Sequence, residues 1–277
     1  MIELWSGTPG SGKSASVVVY ALDFVKRGGV VLSNFALTED WAAVMAKQSL
    51  LSKFSQSYYQ RQIDILKNRW WVFGDLNDIW DFSNQYQQYL SKNMQRQYEG
   101  KCLLIIDECQ LLFNSRSWQK NLQWIEFFSQ HRKLGFDVVL IAHSEDMIDS
   151  QCRNYIEFIV KLRNLYRVKI PFIQMPFSYL FFARNLFFAK WFYYGVGVLS
   201  GDCFKNRLLP LRKWQASLYG SMRIFRFSDR AQSGLRRCYI DPEPSQSPQP
   251  PDRLKPLLDA IHSLHDEIFS CKKNISC

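Results

Sequence analysis

An α/β fold on a mostly parallel, doubly wound sheet is predicted by three observations. Apolar runs alternate with helical stretches through the first 170 residues. Cys102–Ile106 is an uninterrupted apolar run, as a strand buried on both faces should be. The Gly-rich segment from Gly7 to Ser14 lies between a strand-like and a helix-like stretch. At 277 residues the chain has room for one large domain with an appendage. We expect a core over 1–170, a small aromatic, basic, β-rich extension of the same domain over 171–240, and a linker with a short helix over 241–277.

The elements follow in order. Ile2–Trp5 reads as a short strand, Lys13–Arg27 as a helix stopped by Gly28-Gly29, and Val30–Phe35 as a second strand. Residues 40–68 read as largely helical, Trp70–Phe73 as a brief strand, and the polar, Gln-rich stretch Asp75–Tyr98 as helical. After Cys102–Ile106 come an amphipathic helix over Trp118–Leu134, a buried strand over Phe136–Ala142, and one or two strands within Tyr155–Val168.

Within the aromatic stretch 171–201, Phe177–Gly201 is long enough to span a bilayer. Arg184 and Lys190 fall inside it, however, each costing about 2.5–3.5 kcal/mol near the bilayer centre. Two strands, Ser178–Ala183 and Leu186–Tyr194, joined at Arg184-Asn185 explain the pattern as a hairpin or a membrane-surface patch. Residues 241–251 form a Pro/Ser/Gln linker, and Arg253–Phe269 a short amphipathic helix.

Charge is uneven. Residues 1–150 hold 15 Lys and Arg against 16 Asp and Glu, whereas 151–240 hold 16 against 3. The second stretch should attract phosphate-bearing partners, either nucleic acid or an anionic membrane surface, unless it is only a solvated basic face. Seven cysteines without CxxC pairs argue for a reducing compartment and against a metal site, with Cys102 and Cys109 as buried packing residues. No secretory signal is read at the start of the chain.

Gly7-Thr8-Pro9-Gly10-Ser11-Gly12-Lys13-Ser14 satisfies G-x-x-x-x-G-K-[ST] between strand and helix, the context that a P-loop requires. Glycines let the backbone curl so that its N–H groups face the phosphates of ATP, and the helix N-terminus adds its dipole. Lys13 would reach the β- and γ-phosphates and the Ser14 hydroxyl would ligate Mg²⁺. The strand ending in Asp107-Glu108 supplies the other half: Asp107 would hold Mg²⁺ through its water shell, and Glu108 would orient or deprotonate the attacking water. A Glu directly after the Asp favours hydrolysis over phosphotransfer and marks motor-type P-loop NTPases. His143, ending the next strand, is the candidate γ-phosphate sensor. Arg132 and Arg153 are candidate fingers from a neighbouring subunit, which would make the chain a homo-oligomer, with a ring as one form.

The order of motifs resembles the zonula occludens toxin (Zot) family, which includes the filamentous phage assembly ATPases. The resemblance is carried by Gly7–Ser14, Leu103–Gln110 (LLIIDECQ), Ser129–Ala142 (SQHRKLGFDVVLIA), Arg153 in QCRNYI, and Leu218–Met222 (LYGSM), over roughly residues 1–225. It implies an ATPase at the cytoplasmic face of the host inner membrane that drives virion extrusion, with a phage DNA–protein complex and other assembly proteins as partners. His143 stands where the family usually has Gln, Lys133 where a second His is common, and no clean transmembrane helix follows. A soluble DNA-translocating or helicase-like motor, and a nucleotide-gated adaptor, are the alternatives.

Overall fold

The computed structural model describes residues 1–49, 51–93, 100–113, 118–167, 185–194, 203–219 and 236–237. The elements in chain order are β1 (Ile2–Ser6), α1 (Lys13–Lys26), β2 (Val30–Ser33), α2 (Trp41–Ala46), α3 (Leu51–Phe54), α4 (Gln56–Lys67), β3 (Trp70–Val72) and α5 (Leu76–Asn93). There follow β4 (Cys102–Ile106), α6 (Trp118–Gln130), β5 (Phe136–Ala142), α7 (Ser150–Arg153), β6 (Phe158–Asn164), β7 (Leu186–Tyr193), β8 (Cys203–Pro210), α8 (Lys213–Leu218) and β9 (Arg236–Arg237). The nine strands among the described residues form one sheet in the order β8-β7-β6-β1-β5-β4-β2-β3-β9. The six strands from β6 to β3 are parallel, and β7, β8 and β9 add antiparallel edges.

Strand periodicity sorts the core into two layers. Leu104 and Ile106 face one side with Ile2, Leu4, Val138 and Leu140, where Phe113 and the helix residues Phe82, Trp124, Phe127 and Phe128 cover them. Leu103 and Ile105 face the other side with Trp5, Val31, Val139 and Ile141, under Val17, Val18, Ala21 and Leu22 of α1 and the Trp41–Trp70 pair. Helices on both faces explain why these strands carry no polar alternation. Cys102, Cys109 and Cys152 are buried free thiols, and burial pushes the Cys152 thiol up to about 12, so they stay protonated packing groups.

Several expected elements shift. The helical stretch 40–68 is three helices; Ser55 restarts the chain by accepting from the Tyr58 N–H, which caps α4. The helix after residue 118 ends at Gln130 rather than Leu134, because residues 131–135 turn back through Gly135 (φ 81°) to start β5. Only one strand, β6, lies between Tyr155 and Arg167, and a 3₁₀ turn over Leu165–Arg167 follows it.

Leu186–Tyr193 is a strand as expected, but its described partners are β6 and β8. The expected partner Ser178–Ala183, the linker and the C-terminal helix lie outside the described residues. Strand β8 and helix α8 were not anticipated. Almost every residue of β8 is exposed, so it carries no apolar alternation to read. Among the described residues no helix is long and apolar enough to cross a membrane.

Candidate nucleotide site

Parallel strands β1, β4 and β5 end at one edge of the sheet. There β1 lies between β6 and β5, while β2, its successor in the chain, lies beyond β5 and β4. A crevice at such a switch point is where open α/β sheets take ligands.

The segment Gly7–Ser14 turns from β1 into α1 at this crevice. Gly10 (φ 73°) and Gly12 (φ 85°) adopt the left-handed backbone that glycine tolerates. At Gly12 a Cβ would also lie 2.3 Å from the Phe187 ring of β7. No side chain caps the α1 N-terminus and its first turn holds no acid, so its dipole and N–H groups are left for an anion. Thr8, Pro9 and Gly10 form the exposed tip, whereas Ser11 is buried with its hydroxyl unpartnered. The loop therefore fits a polyphosphate.

Lys13 donates from Nζ to the carbonyls of Gly7 (2.6 Å) and Thr8 (3.3 Å) and lies 3.4 Å from His143 Nδ1. Burial lowers its pKa, against the opposing charges of Glu108 and Asp107. Asp107 is almost fully buried. Its Oδ1 accepts from Ser14 Oγ (3.2 Å) and from the Glu108 N–H (3.0 Å), and its Oδ2 accepts from Tyr219 Oη (2.7 Å). Ser14 Oγ and Asp107 Oδ1 are hard oxygen donors side by side, the kind that suits a mostly hydrated Mg²⁺.

Glu108 is the one non-glycine with a left-handed backbone among the described residues (φ 51°). Such a conformation costs of order 1–3 kcal/mol and is held only where surrounding structure enforces it. Its Oε2 accepts from Gln110 Nε2 and lies 3.5 Å from His143 Nε2. His143 thus stands between Lys13 and Glu108, with one ring nitrogen toward each.

The predicted residues Gly7–Ser14, Asp107, Glu108 and His143 are therefore brought together. Arg153 is not brought to this cluster: its ion pair is with Asp146 (3.4 Å). Arg132 pairs with Glu157 (2.7 Å) at the opposite edge, where β5 and β6 begin.

Two residues of the site escaped the sequence reading. Asn34, just after β2, accepts from the Asp107 N–H and donates to the Asp107 carbonyl, both at 2.8 Å, so it clamps the backbone that presents the carboxylate. Its signal was a lone Asn closing the apolar run Val30–Leu32. Tyr219 packs edge-on against Phe35 with centroids 5.3 Å apart while its hydroxyl reaches Asp107. It lies within LYGSM, which carried a resemblance but no role; residues 220–222 lie outside the described ones.

Burial raises the Asp107 pKa, and the Tyr219 and Ser14 hydrogen bonds only partly oppose it. The sign follows from linkage: a carboxyl whose folded pKa exceeds its unfolded one costs stability while ionised, and the cost shrinks as pH falls below the folded pKa and is gone below the unfolded one. Asp107→Asn, which keeps an oxygen acceptor for Ser14, is therefore expected to raise the Tm of nucleotide-free protein at pH 7 by about 2–4 °C per kcal/mol relieved. That gain should shrink on acidification. Thermal melts at pH 7 and pH 5 check it, and a lower Tm for the variant at pH 7 would refute the assignment.

The family described as Zonular occludens toxin (Zot) matches residues 1–179. The Gene 1 protein of Enterobacteria phage fd is 35% identical over 79 residues, 27% of this chain and 23% of that protein. The Gene 1 protein of Salmonella phage IKe is 39% identical over 74 residues, covering 26% and 20% respectively. The matched part is thus about a quarter or less of the length of these curated relatives. Among solved structures, the N-terminal domain of zonular occludens toxin from Neisseria meningitidis is 15% identical over 79% of this chain and 98% of that one, with a TM-score of 0.39.

Proposed function

The chain belongs to the zonular occludens toxin family, and from that premise we propose that it is a motor-type ATP hydrolase driving filamentous phage assembly and extrusion at the cytoplasmic face of the host inner membrane. One observation carries the reading: Lys13, Ser14, Asp107, Glu108 and His143 form a single contact network around the Gly7–Ser14 loop. Helix α1 and the loop N–H groups hold the phosphates. Lys13, now on the Gly7 and Thr8 carbonyls, exchanges them for phosphate oxygens. Ser14 and Asp107 would hold Mg²⁺, which would supply neutralisation of charge on the transferring phosphoryl group. Glu108 orients the attacking water and accepts its proton. His143 registers the γ-phosphate through its contacts to both Lys13 and Glu108.

Arg153 and Arg132 are the candidates for a cation supplied to a neighbouring subunit, which makes a homo-oligomer, with a ring as one form, part of the proposal. Strands β7 and β8 extend the same sheet, which supports assigning residues 171–240 to the same domain as the core. The partners we propose are the phage DNA–protein complex, other assembly proteins and an anionic membrane surface. The test has two arms: Mg²⁺-dependent ATP hydrolysis by purified protein, and phage release from cells whose only copy carries Lys13→Ala. Absent hydrolysis together with normal release would sink the reading.

Tyr219→Phe is a finer test. It removes the hydroxyl donated to Asp107 Oδ2 and leaves the ring on Phe35. A hydrogen bond to a charged group is worth about 1.5–3 kcal/mol, so the Mg²⁺ concentration for half-maximal turnover should rise about tenfold. Binding of ATP without metal should stay unchanged, as titration in EDTA would show. An unaltered Mg²⁺ requirement would assign Tyr219 to packing alone.

A further inference from the structure

The antiparallel extension β6–β7–β8 has two unlike faces. One, with Val160, Leu162, Phe187, Ala189 and Trp191, is buried in the same core layer as α1. On the other, register places Lys161 opposite Lys190, which in turn faces Asn206, and Arg163 opposite Phe188, which faces Leu208. Lys161, Arg163, Lys190, Asn206 and Leu208 are exposed, and Phe188 and Phe192 are half-buried. Lys161 Nζ lies 5.4 Å from the Phe192 ring centroid and Lys190 Nζ 5.7 Å from that of Phe188, so cations and ring faces interleave.

The charge is of one sign. Lys161, Arg163 and Lys190 supply the cations of this face, while Lys205 and Arg207 register with Trp191 and Ala189 of the opposite face, and residues 158–167, 185–194 and 203–219 contain no Asp or Glu. Among the described residues the acid that pairs with this face is Glu145, 3.8 Å from the exposed Lys161, a contact of small energy.

We propose that this outer face binds single-stranded nucleic acid, with phosphates on Lys161, Arg163 and Lys190 and bases stacked on Phe188 and Phe192. Aromatic platforms set among cations are the chemistry that holds unpaired bases with little sequence preference. A duplex keeps its base faces stacked internally and offers the rings nothing. A lipid bilayer fits less well, because inserting Phe188 or Phe192 would carry the ammonium group above it toward hydrocarbon. Strand β7 also ties the face to the nucleotide loop: Phe187, beside Phe188, presses its ring on Gly12. The inference deepens the assembly reading by naming the chemistry of one partner, and it is tested without nucleotide so that it stands or falls independently of hydrolysis.

The test is fluorescence anisotropy of labelled oligo-dT with nucleotide-free full chain over a salt series, against a duplex of equal length and phosphatidylglycerol vesicles. Oligo-dT should bind at least tenfold tighter than duplex. Lys161→Glu with Lys190→Glu should weaken it at least tenfold and make the slope of log K against log salt shallower by about 1.4, for two phosphate contacts. Phe192→Leu should weaken it about tenfold with the slope unchanged, the mark of lost stacking. Unchanged melting temperature and ATP affinity certify the folding of each variant, and Phe188→Leu substitutes for Phe192→Leu if the latter melts early. Equal affinity for duplex, variants that bind like wild type, or binding to vesicles alone would each overturn the proposal.

Discussion

Lys13→Ala is expected to weaken ATP binding by about thirtyfold or more. The ammonium is buried among the loop carbonyls, and burial lowers its pKa, so its charge is retained against a desolvation cost that opposing charges must offset. In the resting protein Glu108 and Asp107 supply those charges. With nucleotide bound, the β- and γ-phosphates do so far more strongly. Truncating one member of a buried, hydrogen-bonded charge pair costs about 2–5 kcal/mol, or roughly 30- to several-thousand-fold in affinity. The fold should survive, because what Lys13 contributes to the apo protein is hydrogen bonds to two loop carbonyls. Isothermal titration with ATP and Mg²⁺, alongside a thermal melt, separates the two effects. An affinity within threefold of wild type, in a variant of normal Tm, would remove Lys13 from the phosphate site.

Glu108→Gln is expected to separate binding from turnover. The amide keeps the shape of the side chain and its reach toward Gln110 and His143, but it cannot accept a proton from water. Loss of a positioned general base costs about 10²–10⁴-fold in rate. ATP affinity should remain close to wild type, since Lys13, Ser14 and Asp107 are untouched. The strained backbone at residue 108 is retained too, because Gln meets the same steric cost at φ 51°. A single-turnover assay with radiolabelled ATP gives the rate, and filter binding the affinity. Turnover within fivefold of wild type would show that another group activates the water. If the variant also supported phage release, hydrolysis itself would be dispensable and the adaptor alternative would gain.

Much of the fold was legible because the signals are local. Strand β4 is a continuous apolar run, and β1, β2 and β5 are mostly apolar, broken by Glu3 and Ser6, by Ser33 and by Asp137, as burial on both faces of the sheet demands. Helix α1 is announced by its loop and stopped at Gly28, whose φ of 93° suits glycine alone. Edges were harder. Strand β8 is exposed along nearly all its length and owes its existence to backbone pairing with β7, a contact that leaves no apolar pattern. Strand β7 was seen, yet its described neighbours are β6 and β8, because pairing depends on chain segments far apart.

The Gly7–Ser14 loop and the pair Asp107-Glu108 were determined by the sequence itself. The geometry each needs, left-handed glycines before a helix and a carboxylate at the end of a buried strand, is built from a handful of consecutive residues. Tertiary structure alone decided what surrounds them. Asn34 and Asp107 are separated by 73 residues and Tyr219 and Asp107 by 112, and only sheet order and the return of α8 bring them within hydrogen-bond distance. The same holds for Phe187 on Gly12 and for the separation of Arg153 from the cluster. Local sequence can encode a backbone conformation, whereas a hydrogen bond between distant residues exists only after the whole core has packed.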